Sequence, residues 1–247
     1  MSLSSTGYCF ANYDFEQVGE NLGAKLINVD KEFTLPGFSI ISSGEIKENK
    51  DTKKLLTKVR KLLNTETNIE NRIELRDQEH HYETERIEHQ VNQIKDLISK
   101  YTSNVNSVQV NRECVDYVLI EDYNYHGKGS VTQLAELRGF LKISLEFLRR
   151  SGRIKHIRFL SIPSIKKLIG MNGHADKELI MEGLKRFGLE LDEKENDKAD
   201  AIAINISGFY AMCHSLEKVQ LPLLEDKKEM KLAKTYLDTL DKIVDRI

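Results

Sequence analysis

Short runs of apolar residues predict four β-strands in this chain. They lie at Tyr8–Tyr13, Phe38–Ile46, Tyr117–Ile120 and Ile157–Ile162. The third run is short and wholly apolar apart from its tyrosine, as is typical of a buried strand. It leads directly into two acidic residues, Glu121 and Asp122.

Apolar residues that recur every three or four positions predict helices between and after these strands. The predicted helices are Asp51–Leu63, Ile73–Tyr101, Val131–Arg150, Pro163–Leu168, Lys177–Phe187, Asp197–Cys213 and Glu225–Ile247. The order is two strands, helices, then strands alternating with helices. This order predicts an α/β fold, with parallel strands and helices on both faces of a sheet.

The composition is that of a charged globular chain. Of 247 residues, 40% are hydrophobic and 31% are charged, and the net charge is -2. A nucleic-acid site would therefore be a local basic patch. The three cysteines have no metal-binding spacing, which favours a reducing compartment. No apolar run approaches the ~20 residues of a membrane span, and the first residues lack the pattern of a secretion signal. We therefore expect a cytoplasmic protein with no membrane partner.

Asp197 and Asp200 open the predicted helix Asp197–Cys213 and would share one of its faces, since residues three apart do so. They could cap an ordinary helix, where the helix dipole favours negative charge. They could instead ligate a hard divalent cation, together with Glu121 at the end of its strand. A cluster of carboxylates repels itself and so favours a bound cation. Two such ions would suit phosphodiester hydrolysis.

Four segments, in this order, resemble the RuvC family of Holliday-junction resolvases in the ribonuclease H-like superfamily. They are Ser2–Tyr8, Val118–Glu121, Ser164–Gly170 with Gly173–Lys177, and Asp197–Ala203. The match covers residues 1–46 and about 113–216. The resemblance implies a ribonuclease H-like mixed sheet with helices on both faces. It also implies a nuclease domain over residues 1–220, with a charged helical insertion at about 47–111, and an extra C-terminal helix at 221–247.

The resemblance further implies a crossover-junction endodeoxyribonuclease of DNA recombination or repair. It would act as a homodimer on four-way junctions or other branched DNA, with Mg²⁺ or Mn²⁺ as cofactor. Glu121, Asp197 and Asp200 would ligate the metal, and Lys177 would steady the phosphate. The insertion and the C-terminal helix are additions of the kind found in phage relatives.

DNA contacts are implied for a further set of residues, among which the tyrosines could equally pack within their loop. These are Lys166, Lys167, Lys177, Tyr123, Tyr125, His126, Lys128 and Arg138. Lysine contacts to phosphate would add salt dependence without base specificity, and a tyrosine could stack on an unpaired base.

One feature of the family pattern is missing. The first catalytic aspartate of the family would fall immediately before Met1, and Ser2, Ser4 and Asp14 are poor substitutes for it. A late start codon, a gene split by an insertion or a truncated chain would each explain this. The alternative function is a catalytically incomplete module that binds branched DNA or a replication or recombination partner. A transposase-like or RNA-strand-cleaving relative is a third possibility, which substrate competition would reveal.

We expect the coding DNA to continue in frame upstream of Met1 and to encode a strand that ends in aspartate. Reading that DNA tests the expectation. A stop codon with no such segment before it would contradict the expectation.

Overall fold

The four predicted strands form at their predicted places in a computed structural model. The model describes residues 5–18, 22, 35–103, 114–122, 131–170, 172–192, 194–219 and 227–247. The strands are β1 (Ser5–Tyr13), β2 (Phe38–Lys47), β3 (Val115–Asp122) and β4 (Ile154–Ser161). Each begins before or at its predicted start, and the predictions of their existence and type are confirmed.

The strands pair in two separate two-stranded sheets within the described residues, β1 with β2 and β3 with β4. The Asp14 N–H donates to the Gly37 carbonyl at 2.7 Å, which joins the end of β1 to the start of β2 in an antiparallel pair. The pairs Asp116–Lys155 and Tyr117–His156 advance along β3 and β4 in the same direction, so these strands are parallel. A mixed α/β architecture is therefore confirmed, whereas a single ribonuclease H-like sheet is not.

The seven predicted helices are also present among the described residues. They are α1 (Lys50–Thr65), α2 (Ile69–Ser103), α3 (Val131–Arg150), α4 (Ile162–Gly170), α5 (Lys177–Lys185), α6 (Asn196–Ser215) and α7 (Lys227–Val244). Helix α2 begins four residues earlier than its apolar stripe predicts. The reason is that the Asn68 side chain accepts hydrogen bonds from the N–H groups of Glu70 and Asn71 and so caps the helix.

The described elements belong to two compact units, and all four strands contribute residues to both. The first unit contains α1, α2 and α3, with α2 packed against the other two helices. Its apolar core includes Leu56 and Val59 of α1, Ile87 and Val91 of α2, and Leu141 of α3. The Arg60 side chain of α1 also donates to both Glu79 and Glu83 of α2, so a charged contact adds to the apolar one.

The second unit contains α4 to α7, most of β1 and β2, and the last residues of β3 and β4. Helix α6 lies at its centre and packs against α4, α5 and α7. Five residues spaced along one side of α6 are fully buried, namely Ala199, Ala203, Ile206, Tyr210 and Cys213. Helix α7 packs against α6 and α4 through residues that include Tyr236, Leu240 and Ile243. The predicted division of the chain at residue 220 stays a prediction.

No helix in the described part of the chain is both long enough and apolar enough to cross a membrane.

Replacing Gly183 with alanine should destabilise the second unit. A Cβ atom at this position would lie 2.1 Å from the carbonyl oxygen of Ile169, so α4 and α5 would have to move apart. We expect a loss of about 1–3 kcal/mol in unfolding free energy, measured by urea titration. Gly139→Ala on α3 is the matched control, since its Cβ would meet no atom within 4 Å. It should stabilise the protein by up to about 1 kcal/mol. Equal stability changes in the two variants would contradict the close packing of α4 on α5.

Candidate carboxylate site

Glu121 is the last residue but one of β3 and belongs to the second unit. Its neighbour Asp122 accepts a hydrogen bond from Arg246 at 2.9 Å, in an ion pair between residues 124 apart in sequence. The Arg158 side chain of β4 also donates to the main-chain oxygen of Ile247. The residues that follow α7 are thus bonded to the last residue of β3 and to the middle of β4. Sequence reasoning missed these contacts, because nothing in the local pattern marks Arg246.

Asp197 and Asp200 lie in the first turns of α6, as predicted, and α6 starts in the same unit that contains Glu121. The N-cap residue of this helix is Glu195, and its side chain makes no capping hydrogen bond. The two aspartates therefore follow the cap position instead of occupying it. Their place is explained by the apolar residues after them, which draw the rest of the helix into the core and leave the acidic turns at its edge.

Strand β1 passes very close to the first turn of α6. A Cβ atom on Gly7 would lie 1.6 Å from the carbonyl oxygen of Asp197, so only glycine allows the two backbones to approach this closely. Gly7 belongs to a segment that resembles the RuvC family, although its role in holding Asp197 was not predicted. The backbone of β1 thereby determines where the Asp197 turn can lie.

Asn205 fixes β1 to α6 one and a half turns beyond Asp200. Its side-chain amide donates to the Cys9 carbonyl at 3.0 Å. The Tyr13 hydroxyl in turn donates to the main-chain and side-chain oxygens of Asn205, at 2.8 Å and 3.1 Å. Asn205 lies within the otherwise apolar run Ala201–Ile206, and its amide requires such partners. That requirement is the sequence signal from which a role for Asn205 could have been predicted.

The electrostatics of this place are seen at Asp200. The pKa of its carboxyl is raised to about 6, first by burial and then by the negative charge of Glu121. The Lys177 ammonium opposes this rise in pKa, and Asp197 contributes to it. Two of the three predicted metal ligands are therefore close enough to Asp200 to change its ionisation.

Lys177 is the basic residue that the structure brings to these carboxylates. It is the first residue of α5, whose N-cap residue Asp176 accepts a hydrogen bond from the Leu179 N–H at 3.0 Å. The Lys177 ammonium lies 3.9 Å from a carboxylate oxygen of Asp197. Its side chain is 60% exposed, whereas that of Asp197 is 19% exposed. One positive charge thus borders the cluster from the solvent side.

The other predicted DNA contacts fall in the second unit, in the first unit and outside the described residues. Lys166 and Lys167 lie on α4 in the second unit, and in the described chain neither pairs with a carboxylate of the site. Lys167 instead lies alongside the turn at Gly173. Arg138 lies on α3 in the first unit. Tyr123, Tyr125, His126 and Lys128 fall outside the described residues.

A hard divalent cation fits the chemistry of these donors, which are carboxylate oxygens that repel one another. In the described chain, however, no group of three or more His, Cys, Asp or Glu side chains is arranged so that it could hold a metal ion. These oxygen donors are therefore chemically suitable for a divalent cation, but the described side chains do not form a complete coordination shell. The metal ligands named from the sequence stay a prediction.

Comparison with known proteins gives little further information. No protein-family model matches the chain. No curated protein matches it either. Among solved structures it is similar to the Thermus thermophilus RuvC structure, with a TM-score of 0.45 and 12% sequence identity. The likeness covers 86% of this chain and 92% of that chain. A likeness this weak establishes neither a shared fold nor a shared activity, so the interpretation of the site depends on the residues described above.

Asp200→Asn should stabilise the protein in the absence of divalent cations. The Asp200 carboxyl has a pKa of about 6 in the folded protein, against an ordinary value of 3.8 in the unfolded chain. The folded state therefore binds the proton more tightly, so stability falls as the pH rises from 3.8 to about 6 and stays reduced at higher pH. We expect the free energy of unfolding of the variant to exceed that of the unmodified protein by on the order of 1–3 kcal/mol at pH 7.5. Near pH 4 the difference should be only a small fraction of that value.

Thermal unfolding in EDTA at a series of pH values measures this difference. Asp238→Asn on α7 is the control, because that aspartate is exposed and belongs to the same unit. A difference in Tm between Asp200→Asn and the unmodified protein that does not change with pH would contradict the crowding of carboxylates around Asp200.

Proposed function

We propose that this protein is an endonuclease that requires Mg²⁺ and cleaves Holliday junctions or other branched DNA. The observation that carries the proposal is the partly buried Asp200 carboxyl, whose pKa is raised by burial and by Glu121 and Asp197. Structural ion pairs do not need several like charges in one place, whereas phosphoryl-transfer sites often do. The ordered resemblance of four segments to the RuvC family supports the same class.

Glu121, Asp197 and Asp200 would hold the cation. A divalent ion bound there, Mg²⁺ or Mn²⁺, would supply the positive charge that polarises a phosphodiester and makes water a better nucleophile. The proposed site would hold two such divalent ions. Strand β3 and helix α6 keep the carboxylates in place, because the Asp122–Arg246 ion pair and the Asn205 hydrogen bonds fix the two elements near these residues.

Lys177 would act on the substrate instead of on the cation. Its exposed ammonium lies beside Asp197, where it would neutralise part of the charge on a phosphate as negative charge develops in the transition state. Lys166 and Lys167 on α4 would contact the DNA backbone further from the reacting bond. The active form would be a homodimer, whose two-fold symmetry suits a two-fold symmetric four-way junction.

A second candidate is a module that binds branched DNA without cutting it. The observation that favours it is that the described carboxylates do not form a group of three metal ligands. In this case the crowded carboxylates would reflect descent from a nuclease and Lys177 would contribute to binding alone.

The test is a cleavage assay on a synthetic four-way junction, with the chain and any residues found to precede Met1 in its reading frame. We expect cleavage that depends on Mg²⁺ and is abolished by EDTA. Asp200→Asn should lower the cleavage rate by about 100-fold or more, because the partly buried carboxylate is a proposed ligand. Asp238→Asn, on the exposed side of α7, should cut at the normal rate.

Equal cutting by the Asp200→Asn variant and the unmodified protein would rule out this site. Tight binding of the junction with no cutting in Mg²⁺ or Mn²⁺ would support the binding module. A Tm that rises with Mg²⁺ in the unmodified protein and not in Asp200→Asn would support the cation independently of activity.

A further inference from the structure

Helix α1 concentrates positive charge in a chain whose net charge is -2. Its sixteen residues include six Lys or Arg and one Asp. Lys50, Lys54, Lys58 and Lys61 follow one another at intervals of four, four and three residues, so they share one face of the helix. We call these four residues the lysine face. At 1.5 Å rise per residue they form a row about 16 Å long.

The lysine face is directed to solvent because the opposite side of α1 is packed. The buried residues of the helix are Thr52, Leu56, Val59 and Leu63, and they lie about half a turn away from the lysines. That buried side contacts α2 within the same unit. The four lysines are all exposed. The contact with α2 therefore fixes the direction in which the row of charges faces.

The charges of the row are largely available. Lys54 lies 3.6 Å from Asp51, and both side chains are highly exposed, so this ion pair is weak. Within the described chain no acidic side chain pairs with Lys50, Lys58 or Lys61. Other basic residues of α1 are neutralised, since Lys53 binds Glu48 and Arg60 binds Glu79 and Glu83 of α2. The helix thus neutralises the charges beside its packed side and leaves the outer row exposed.

We infer that the lysine face binds the phosphate backbone of double-stranded DNA, as a second contact surface for the substrate of the proposed nuclease. This inference rests on the proposed function for the identity of the polyanion. A row of ammonium groups on a helix that contains no aromatic residue suits a regular array of phosphates and carries no means of reading bases. The surface would add affinity on any duplex arm, whatever its sequence.

An anionic membrane is the chief competitor as a ligand for such a helix. A membrane-binding amphipathic helix inserts its apolar side between lipids and lays its lysines on the headgroups. In α1 the apolar side is already buried against α2, and only Leu55 and Leu62 of its apolar residues are substantially exposed. Most of the apolar side is thus unable to enter a lipid layer, and this favours DNA over a lipid surface.

The test measures binding of the full chain to a linear duplex and to a four-way junction in EDTA, so that cleavage plays no part. The variant replaces Lys50, Lys54, Lys58 and Lys61 with glutamine. We expect its affinity for both DNAs to fall at least about tenfold at low salt. The slope of log affinity against log salt concentration should become shallower by up to about 3.6, since each of the four lost phosphate contacts contributes about 0.9.

The control variant replaces Lys227, Lys231, Lys234 and Lys242 of α7 with glutamine. These four lysines are also exposed, and the change in net charge is the same. The control should keep the affinity and the salt slope of the unmodified protein, and both variants should keep its circular dichroism spectrum and Tm. Vesicles of phosphatidylcholine with and without phosphatidylserine serve as the membrane probe, to which no lysine-dependent binding is expected.

The outcomes separate this inference from the proposed function. If the unmodified protein binds neither DNA, the proposed function fails and the inference fails with it. If the unmodified protein binds and the α1 variant binds equally well with the same slope, the inference is wrong and the proposed function stands. Equal losses in the α1 and α7 variants, or lysine-dependent binding to the anionic vesicles alone, would also overturn it.

Discussion

The burial of helix α6 is the constraint on which the second unit depends. From Ala199 to Cys213 this helix contacts other elements on nearly every side, so its position has almost no freedom. Its acidic first turns have to lie where the core meets solvent, because ionised carboxylates are too costly to bury without partners. A helix buried in this way holds its two aspartates close together at the edge of the core. Charge repulsion between them is a consequence of apolar packing further along the same helix.

The same constraint explains why the surroundings of the first turn are so tightly specified. Strand β1 can come this close to the first turn of α6 only because residue 7 is glycine. Further along, the hydrogen bonds of Asn205 with Cys9 and Tyr13 set the distance between the strand and the helix. The thiol of Cys9 shares this buried environment, which raises its pKa to about 12. Backbone contacts and neutral hydrogen bonds thus position β1 against α6.

Much of this arrangement follows from the sequence. Periodicity is sufficient to predict every strand and helix that the structure describes, because each element has a clear apolar stripe or run. The grouping of Glu121, Lys177, Asp197 and Asp200 was an expectation from the resemblance to the RuvC family, and their roles stay a prediction. The early start of α2 could not be read from its stripe, since it depends on the capping side chain of Asn68.

Long-range contacts are the part that the sequence could not supply. Arg246 bonds to Asp122, and Tyr13 to Asn205, only because the fold brings together residues more than a hundred positions apart. Pairing of strands is another such property. The pattern predicts four strands of the right kind, but their division into two sheets depends on backbone partners that periodicity does not encode.

The hydrogen bonds between Tyr13 and Asn205 span 192 residues of chain. During synthesis on the ribosome, β1 therefore emerges long before the helix that stabilises it exists. Contacts of such separation slow folding, because a long loop has to close before they contribute any stability. The helices of the first unit, which contact near neighbours in sequence, can form in the meantime. The hydrogen-bonding groups of β1 would stay without their α6 partners until the last part of the chain has been made. During that interval a chaperone would protect the exposed strand.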